Sequence, residues 1–246
     1  MCTSYEPETT PPPFRTFQTE RIIRMANNTL LTKAIASADM CALLSIAFTF
    51  PDEVFAQALS KGAFKADLLG ILDELEAGSA TLHDVTQRID QISGTNAPSF
   101  GEMRREYTRL YLSPSRTLLI YPYESAFLHV AEGKPDIPML FIAKRTIEVE
   151  QWMRRLEALP ETFNKEPVDS IWQELDFMRQ LYASYANALH LEDPDAAESW
   201  LLEVVDFREK HLDAWAPLFM QRTEEEARLP LYGTLAWIAC LAFDLI

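Results

Sequence analysis

Glycine, cysteine and an export signal are scarce or missing in this sequence. The chain of 246 residues contains 7 glycines, few for the tight hairpin turns of an all-β protein or for a phosphate-binding loop. Its cysteines, Cys2, Cys41 and Cys240, are odd in number and far apart, which argues against a disulfide framework and against a zinc site. The N-terminus lacks the basic and apolar regions of a secretory signal, so we expect a cytoplasmic protein.

Basic residues and long apolar runs are also in short supply. The 22 Lys and Arg residues are outnumbered by 37 Asp and Glu residues, which gives a net charge of −15. This charge repels phosphate groups, so we expect neither nucleic acid nor anionic lipid as a partner. The longest apolar stretches are residues 40–50, which are too few to span a bilayer, and residues 229–246, which contain Pro230 and Asp244. Both are predicted to be buried core helices, without stable membrane insertion.

The usual signatures of enzymatic chemistry are missing as well. None of the 4 histidines follows a glutamate at the spacing of a di-metal helix bundle. The sequence also has no serine elbow, no phosphate loop and no dinucleotide fingerprint. We therefore expect no catalytic residue, no metal and no cofactor. One alternative stays open, an all-α enzyme that uses the carboxylates of Glu166 and Asp169 as acid and base.

The apolar residues that are present recur at intervals of three and four, and no segment alternates convincingly with the period of a strand. This pattern predicts roughly ten helices. Because no glycine-rich linker divides them, we expect a single all-α globular domain over residues 14–246. Residues 1–13 end in a run of prolines and show no periodicity, which predicts a mobile N-terminal tail.

Two proline-marked segments are candidates for function. Residues 113–138 are predicted to form the longest internal connection, and their centre reads Tyr-Pro-Tyr-Glu-Ser-Ala-Phe at residues 121–127. Apolar residues in such a segment are either buried or exposed for recognition, and the composition leaves both open. The second segment, Glu-Pro-Val-Asp at residues 166–169, is predicted to open the most strongly periodic helix, with Pro167 in its first turn and Asp169 near the positive end of its dipole.

Taken together, these segments resemble the TorD/DmsD/NarJ family of molybdoenzyme assembly chaperones. The first family motif is a helix that ends in aromatic-x-x-Leu-aromatic, here residues 107–111, followed by a Pro-aromatic-x-Ser loop, here within residues 121–127. The second motif, Glu-Pro-x-Asp-His, resembles residues 166–170. Ser170 replaces the family histidine, so no role of that ring transfers to this chain. Residues 207–219 resemble the C-terminal segment of the family.

The resemblance implies a TorD-like, all-helical, cytoplasmic chaperone, either a monomer or a helix-exchanged homodimer. Its partner would be the catalytic subunit of a molybdopterin-dependent oxidoreductase or the twin-arginine leader peptide of that subunit, held until the cofactor is inserted. Paired arginines followed by an apolar segment call for carboxylates, here Glu124 and Asp169, beside an apolar floor. The residues expected to bind the leader are Tyr121, Pro122, Tyr123, Glu124, Ser125, Phe127, Glu166, Pro167 and Asp169. A helical interaction module unrelated to redox enzymes is a further alternative.

Overall fold

The structure is a computed structural model that describes the backbone of residues 14–112 and 118–246, with side chains from residue 27 onwards. The predicted mobile tail, residues 1–13, lies outside the described residues. Within those ranges the chain folds into α-helices joined by turns, without a β-strand. The α-helices are α1 (Phe14–Phe48), α2 (Glu53–Lys61), α3 (Ala63–Glu74), α4 (Ser79–Asp90), α5 (Phe100–Tyr111), α6 (Glu124–Ala131), α7 (Lys144–Arg155), α8 (Ile171–His190), α9 (Pro194–Phe207), α10 (Asp213–Glu226) and α11 (Pro230–Phe243).

The prediction of an all-α fold is confirmed. A π-helical turn, Arg208–Leu212, joins α9 and α10 into one continuous rod. With these two helices counted together, the described ranges contain ten helical rods, and a short 3₁₀ turn, Gly94–Asn96, lies between two of them. The number agrees with the roughly ten helices predicted from the sequence, because each stripe of apolar residues buries one face of one helix.

The core is organised around α1, α8 and the C-terminal helices. α1 and α8 share the most extensive contact between helices, and α10 and α11 also pack closely against each other. Most side chains of α11 are buried, which confirms that residues 229–246 contribute a core helix. Tyr107, Tyr111, Tyr232 and Phe219 stack or meet edge to face in the centre, where large aromatic side chains contribute most to stability.

One described helix is apolar and long enough to be considered as a membrane span. Residues Asn27–Phe48 of α1 are numerous and apolar enough to cross a bilayer, yet half of the most apolar part of this segment is buried inside the protein. The core helix of a soluble protein gives the same signal, so this single helix is weak evidence for a membrane. The absence of stable membrane insertion stays a prediction.

The start of α8 corrects one expectation from the sequence. Pro167 and Asp169 do not lie in the first turn of this helix, because α8 begins at Ile171 and its N-cap is Ser170. The Ser170 hydroxyl accepts a hydrogen bond from the backbone N–H of Gln173, at 3.4 Å. Residues 166–169 are therefore a separate segment before the helix, and the Asp169 side chain is free to turn inward.

The predicted long connection over residues 113–138 is also wrong in part, because α6 lies within it. The chain enters α6 where the backbone N–H of Glu124 donates to the carbonyl of Asp169 at 2.7 Å, a partner that local sequence does not reveal. What remains irregular after α6 is the stretch of residues 132–143. Its apolar side chains Ile137, Met139, Phe141 and Ile142 are exposed.

Candidate functional site

The two candidate motifs meet in the structure. Tyr123 and Ser170 form an isolated antiparallel bridge, and the N–H of Ile171 donates to the carbonyl of Pro122 at 3.0 Å. Together with the bond between Glu124 and Asp169, this bridge fixes the start of α6 against the start of α8. We call this contact between residues 122–125 and 169–171 the junction. Backbone bonds of this kind position a segment without depending on its side chains.

Glu124 lies at the centre of the junction and is fully buried. Its Oε1 accepts a hydrogen bond from Arg145 Nη1 at 2.6 Å, and its Oε2 lies 2.9 Å from His211 Nδ1. Arg145 belongs to the first turn of α7, and His211 belongs to the π-helical turn. Glu124 therefore joins three elements through charge-assisted hydrogen bonds, which are the strong class in proteins.

Asp169 is also fully buried and joins the segment before α8 to α6 and α7. Its Oδ2 accepts from the backbone N–H of Ser125 at 3.0 Å and from the hydroxyl of Thr146 at 2.9 Å. Its Oδ1 has no hydrogen-bond partner among the described residues. Burial raises the pKa of this carboxyl, the bonds from Ser125 and Thr146 oppose the rise, and the nearby charge of Glu124 adds to it.

Glu174, in the first turn of α8, completes a cluster of three buried acids with Glu124 and Asp169. Its Oε2 accepts from Trp215 Nε1 at 2.9 Å, while Oε1 has no partner in the described part of the chain. Burial raises the pKa of Glu174 well above its ordinary value, and repulsion from Glu124 adds to this shift. The fold therefore favours a neutral carboxylic acid at this position.

The raised pKa of Glu174 leads to a prediction about stability and pH. An acid with a higher pKa in the folded state than in the unfolded state favours folding while it is protonated. Stability is therefore lost as the pH rises above the ordinary value of 4.5 towards the raised folded pKa. Glu174→Gln keeps an acceptor for Trp215 and carries no charge. We expect the variant to be more stable than the wild type at pH 8 and equally stable near pH 4.

Urea unfolding from pH 4 to pH 8 measures this difference, with Glu150→Gln as a surface substitution for comparison. Glu150 is partly exposed and pairs with Arg154 within α7. A Glu174→Gln variant that is less stable than the wild type at pH 8 would show that the ionised carboxylate is required in the fold.

The aromatic residues of the first motif point in two directions. Tyr123 packs on Trp172 with ring centroids 5.9 Å apart, and burial, together with the charges of Glu166 and Asp169, raises its pKa to about 12. Tyr121 and Phe127 instead line a groove between α6 and α10 with a volume of about 430 Å³. We call this the α6–α10 groove; its other apolar lining residues are Leu119, Ile120, Val130, Ala131 and Leu218.

The remaining predicted residues are divided between interior and surface. Pro122 and Pro167 are buried, Ser125 is half-buried and bonded to Thr146, and Glu166 is exposed. None of these residues lines the α6–α10 groove. In this conformation the carboxylates of Glu124 and Asp169 are buried, and Glu124 is already paired with Arg145. Direct contact of these two carboxylates with arginines of a client stays a prediction.

Several residues of the junction and the groove were not singled out from the sequence. On α10, Leu218 contributes an exposed apolar side chain to the groove, and Glu225 and Arg222 contribute charged ones. At the junction, Arg145 and His211 are the partners of Glu124. Leu218 and His211 fall in residues 207–219, which resemble the family's C-terminal segment, so that resemblance was the available signal.

Comparison with known proteins identifies the family. The model of the nitrate reductase delta subunit family matches residues 71–221, which is more than half of the chain. The chain belongs to this family. It is a family of NarJ/TorD-type chaperones, which confirms the resemblance seen in the sequence and indicates a chaperone for redox enzyme maturation. The matched range includes both motifs, the junction and most of the α6–α10 groove.

Other similarities are more distant. A crystal structure of a protein from Archaeoglobus fulgidus that is assigned to redox enzyme maturation has 20% sequence identity, covers 84% of this chain and 93% of its own, and gives a TM-score of 0.47. At this TM-score the likeness carries no argument of its own. No curated protein matches the sequence.

Proposed function

We propose that this protein is a cytoplasmic chaperone that binds a molybdopterin-dependent oxidoreductase subunit through an N-terminal segment such as a twin-arginine leader. Binding would hold the subunit until its cofactor is inserted. The observation that carries the proposal is the open apolar groove between α6 and α10, which carries an acidic residue, in a chain that belongs to a maturation chaperone family. An apolar segment flanked by cations fits such a groove.

The groove has the composition that this role needs. Leu119, Val130 and Leu218 are exposed large apolar side chains, and a soluble chain exposes such a cluster mainly where another molecule covers it. Glu225 also lines the groove; its Oε1 accepts from Gln221 at 3.2 Å and its Oε2 lies 3.5 Å from Arg222 Nη1. These are long contacts, so the carboxylate can accept a guanidinium from a client.

The predicted site residues then divide into two roles. Tyr121 and Phe127 contact the client directly, because both line the groove. Glu124 and Asp169 act as positioning residues, because they fix the start of α6, which carries Phe127. The alternative of an acid–base enzyme has less support, because Glu166 is exposed while Asp169 is buried and bonded to Ser125 and Thr146.

Peptides with Arg-Arg, Lys-Lys or Ala-Ala before the same apolar segment test the proposal by titration calorimetry. We expect the Arg-Arg peptide to bind best, because guanidinium–carboxylate bonds are directional and charge-assisted. Glu225→Gln should reduce the preference for Arg-Arg by about tenfold, which corresponds to the loss of one hydrogen bond to a charged group. The matched control is Glu224→Gln, since Glu224 pairs with Arg88 of α4 instead of lining the groove.

Equal affinity for the three peptides would contradict the role of Glu225 and leave recognition to the apolar segment. Failure of every peptide to bind, together with the absence of a molybdoenzyme subunit from proteins that co-purify with the native chain, would overturn the proposed function.

A further inference from the structure

A second cavity lies beside the junction and has the opposite character to the groove. Its volume is about 620 Å³, and four of its lining residues are cations: Lys144, Arg145, Arg155 and Lys210. Glu148 is the acid in its lining, and Trp152 and His211 contribute rings. We call it the cationic cavity. Such a concentration of positive side chains stands out in a chain whose net charge is −15.

The fold holds these cations towards the cavity. Lys144 and Arg145 are the first residues of α7. Arg145 donates a hydrogen bond to the buried Glu124 at 2.6 Å, which holds its side chain in place. Lys210 and His211 belong to the π-helical turn, and π-helical turns are frequent at functional sites. The inserted turn places Lys210 5.1 Å from the ring centre of Trp152.

Several of these cations are held by exchangeable partners. Lys144 lies 3.5 Å from Glu148, and Lys210 lies 2.9 Å from Asp206, each an exposed pair within one helical stretch. Exposed pairs of this type contribute little to stability and compete poorly with a better-placed carboxylate. Each lysine has three donors, and the hydrogen bond of Lys210 to Asp206 uses one of them, so an incoming acid finds further donors as well as charge.

We propose that the cationic cavity binds an acidic polypeptide segment, one that presents neighbouring Asp or Glu side chains. The inference rests on the proposed function in that the occupant is taken to be a polypeptide client. Carboxylates already bind each cation of the cavity within the chain, so the same chemistry from a partner fits the same donors. The volume is too large for one carboxylate and accommodates several side chains, with Trp152 as an apolar wall.

The cavity and the groove are both connected to α6, the groove through its lining and the cavity through the partners of Glu124. Glu124, at the start of α6, supports Arg145 and contacts His211 in the cavity, while Phe127 and Val130 of α6 line the groove. A client that carries an apolar, cation-flanked segment and an acidic segment has a matching site for each of them. Two linked contacts raise the effective affinity without any single strong bond.

A fluorescently labelled hexaglutamate peptide tests the cavity by anisotropy titration of the full chain at about 0.1 M salt, where the global charge is screened beyond about 10 Å. The double variant Lys144→Gln, Lys210→Gln should raise the dissociation constant at least about tenfold, since each lysine provides a charge-assisted contact. The control is Lys33→Gln, Lys65→Gln, which removes the same charge from ion pairs with Glu76 and Asp90, away from the cavity. It should change the dissociation constant less than about twofold.

Tripolyphosphate in a second titration distinguishes a phosphate ligand from an acidic peptide. The proposal is overturned if hexaglutamate does not bind, if both double variants weaken it equally, or if tripolyphosphate alone binds at these lysines. A thermal melting curve of each variant establishes that the fold is retained. Because hexaglutamate is not the client, these outcomes are independent of the Arg-Arg peptide titration, and either result can fail without the other.

Discussion

Replacing Glu124 with alanine should lower the free energy of unfolding by about 1–3 kcal/mol, because the substitution leaves the buried His211 without its hydrogen-bond partner, while Arg145 is partly exposed and can turn to water. His211 is 3% exposed and loses the acceptor of its Nδ1, and Arg145 loses its bond at 2.6 Å. One effect opposes the loss, since Glu124 also repels Glu174. That relief is small, because burial already favours the neutral form of Glu174, and the loss of the partners therefore dominates.

Urea unfolding at neutral pH measures the effect. Glu124→Gln keeps the size of the side chain and one strong acceptor, so its cost should be smaller than that of the alanine variant. Glu132→Ala is the matched control just beyond the end of the same helix, where Glu132 is exposed and pairs with Lys134. If Glu124→Ala is as stable as the wild type, the junction does not hold α6, and a role of Glu124 in direct client binding becomes the better interpretation.

The sequence predicted features that depend on neighbouring residues. The spacing of Ser99 and Glu102 in the sequence predicts a capping box at a helix start. The structure has it, with the Ser99 N–H donating to Glu102 at 2.8 Å, because both partners lie in one turn. Gly62 ends α2 with a φ of +79°, a backbone conformation that favours glycine. Helix identity followed from periodicity for the same reason, since a stripe of apolar residues is a local property of the chain.

The environment of the candidate acids could not be predicted in the same way. Glu124 meets Arg145 21 positions away and His211 87 positions away, and no local pattern encodes such contacts. From residue types alone, an acid beside aromatic residues in a proline-marked segment is equally compatible with an exposed recognition loop. The two motifs that the sequence assigns to one site are nevertheless neighbours in the structure, because the bridge between Tyr123 and Ser170 brings them together. Their shared function stays a prediction.

The exposed residues of the α6–α10 groove could not be predicted from the sequence either. Leu218 looks like an ordinary helical residue in the sequence, and only the packing of α6 on α10 leaves it exposed beside Phe127. A partner that covers it gains the apolar burial that the fold leaves unused.

Leu218→Glu should therefore weaken binding of the Arg-Arg peptide by about tenfold. Full burial of a leucine side chain contributes about 1.5–3 kcal/mol, and about half of this remains to be gained at Leu218. Desolvation of the introduced carboxylate adds to the loss, and about 1.4 kcal/mol is a factor of ten in affinity. The thermal stability of the free chain should change little, because Leu218 is 52% exposed in it. Calorimetric titration and a melting curve on the same sample separate the two effects.

Leu202→Glu provides the matched control for this substitution. Leu202 is a similarly exposed leucine, at 59%, but it lies on α9 and does not line the groove. Both variants add the same negative charge to the chain, so a general electrostatic effect on a cationic peptide would strengthen binding in both. Weaker binding in Leu218→Glu alone would locate the apolar part of the client at the α6–α10 groove. Unchanged binding in Leu218→Glu would instead exclude the groove as the client site and direct the search to the exposed apolar side chains of residues 137–142.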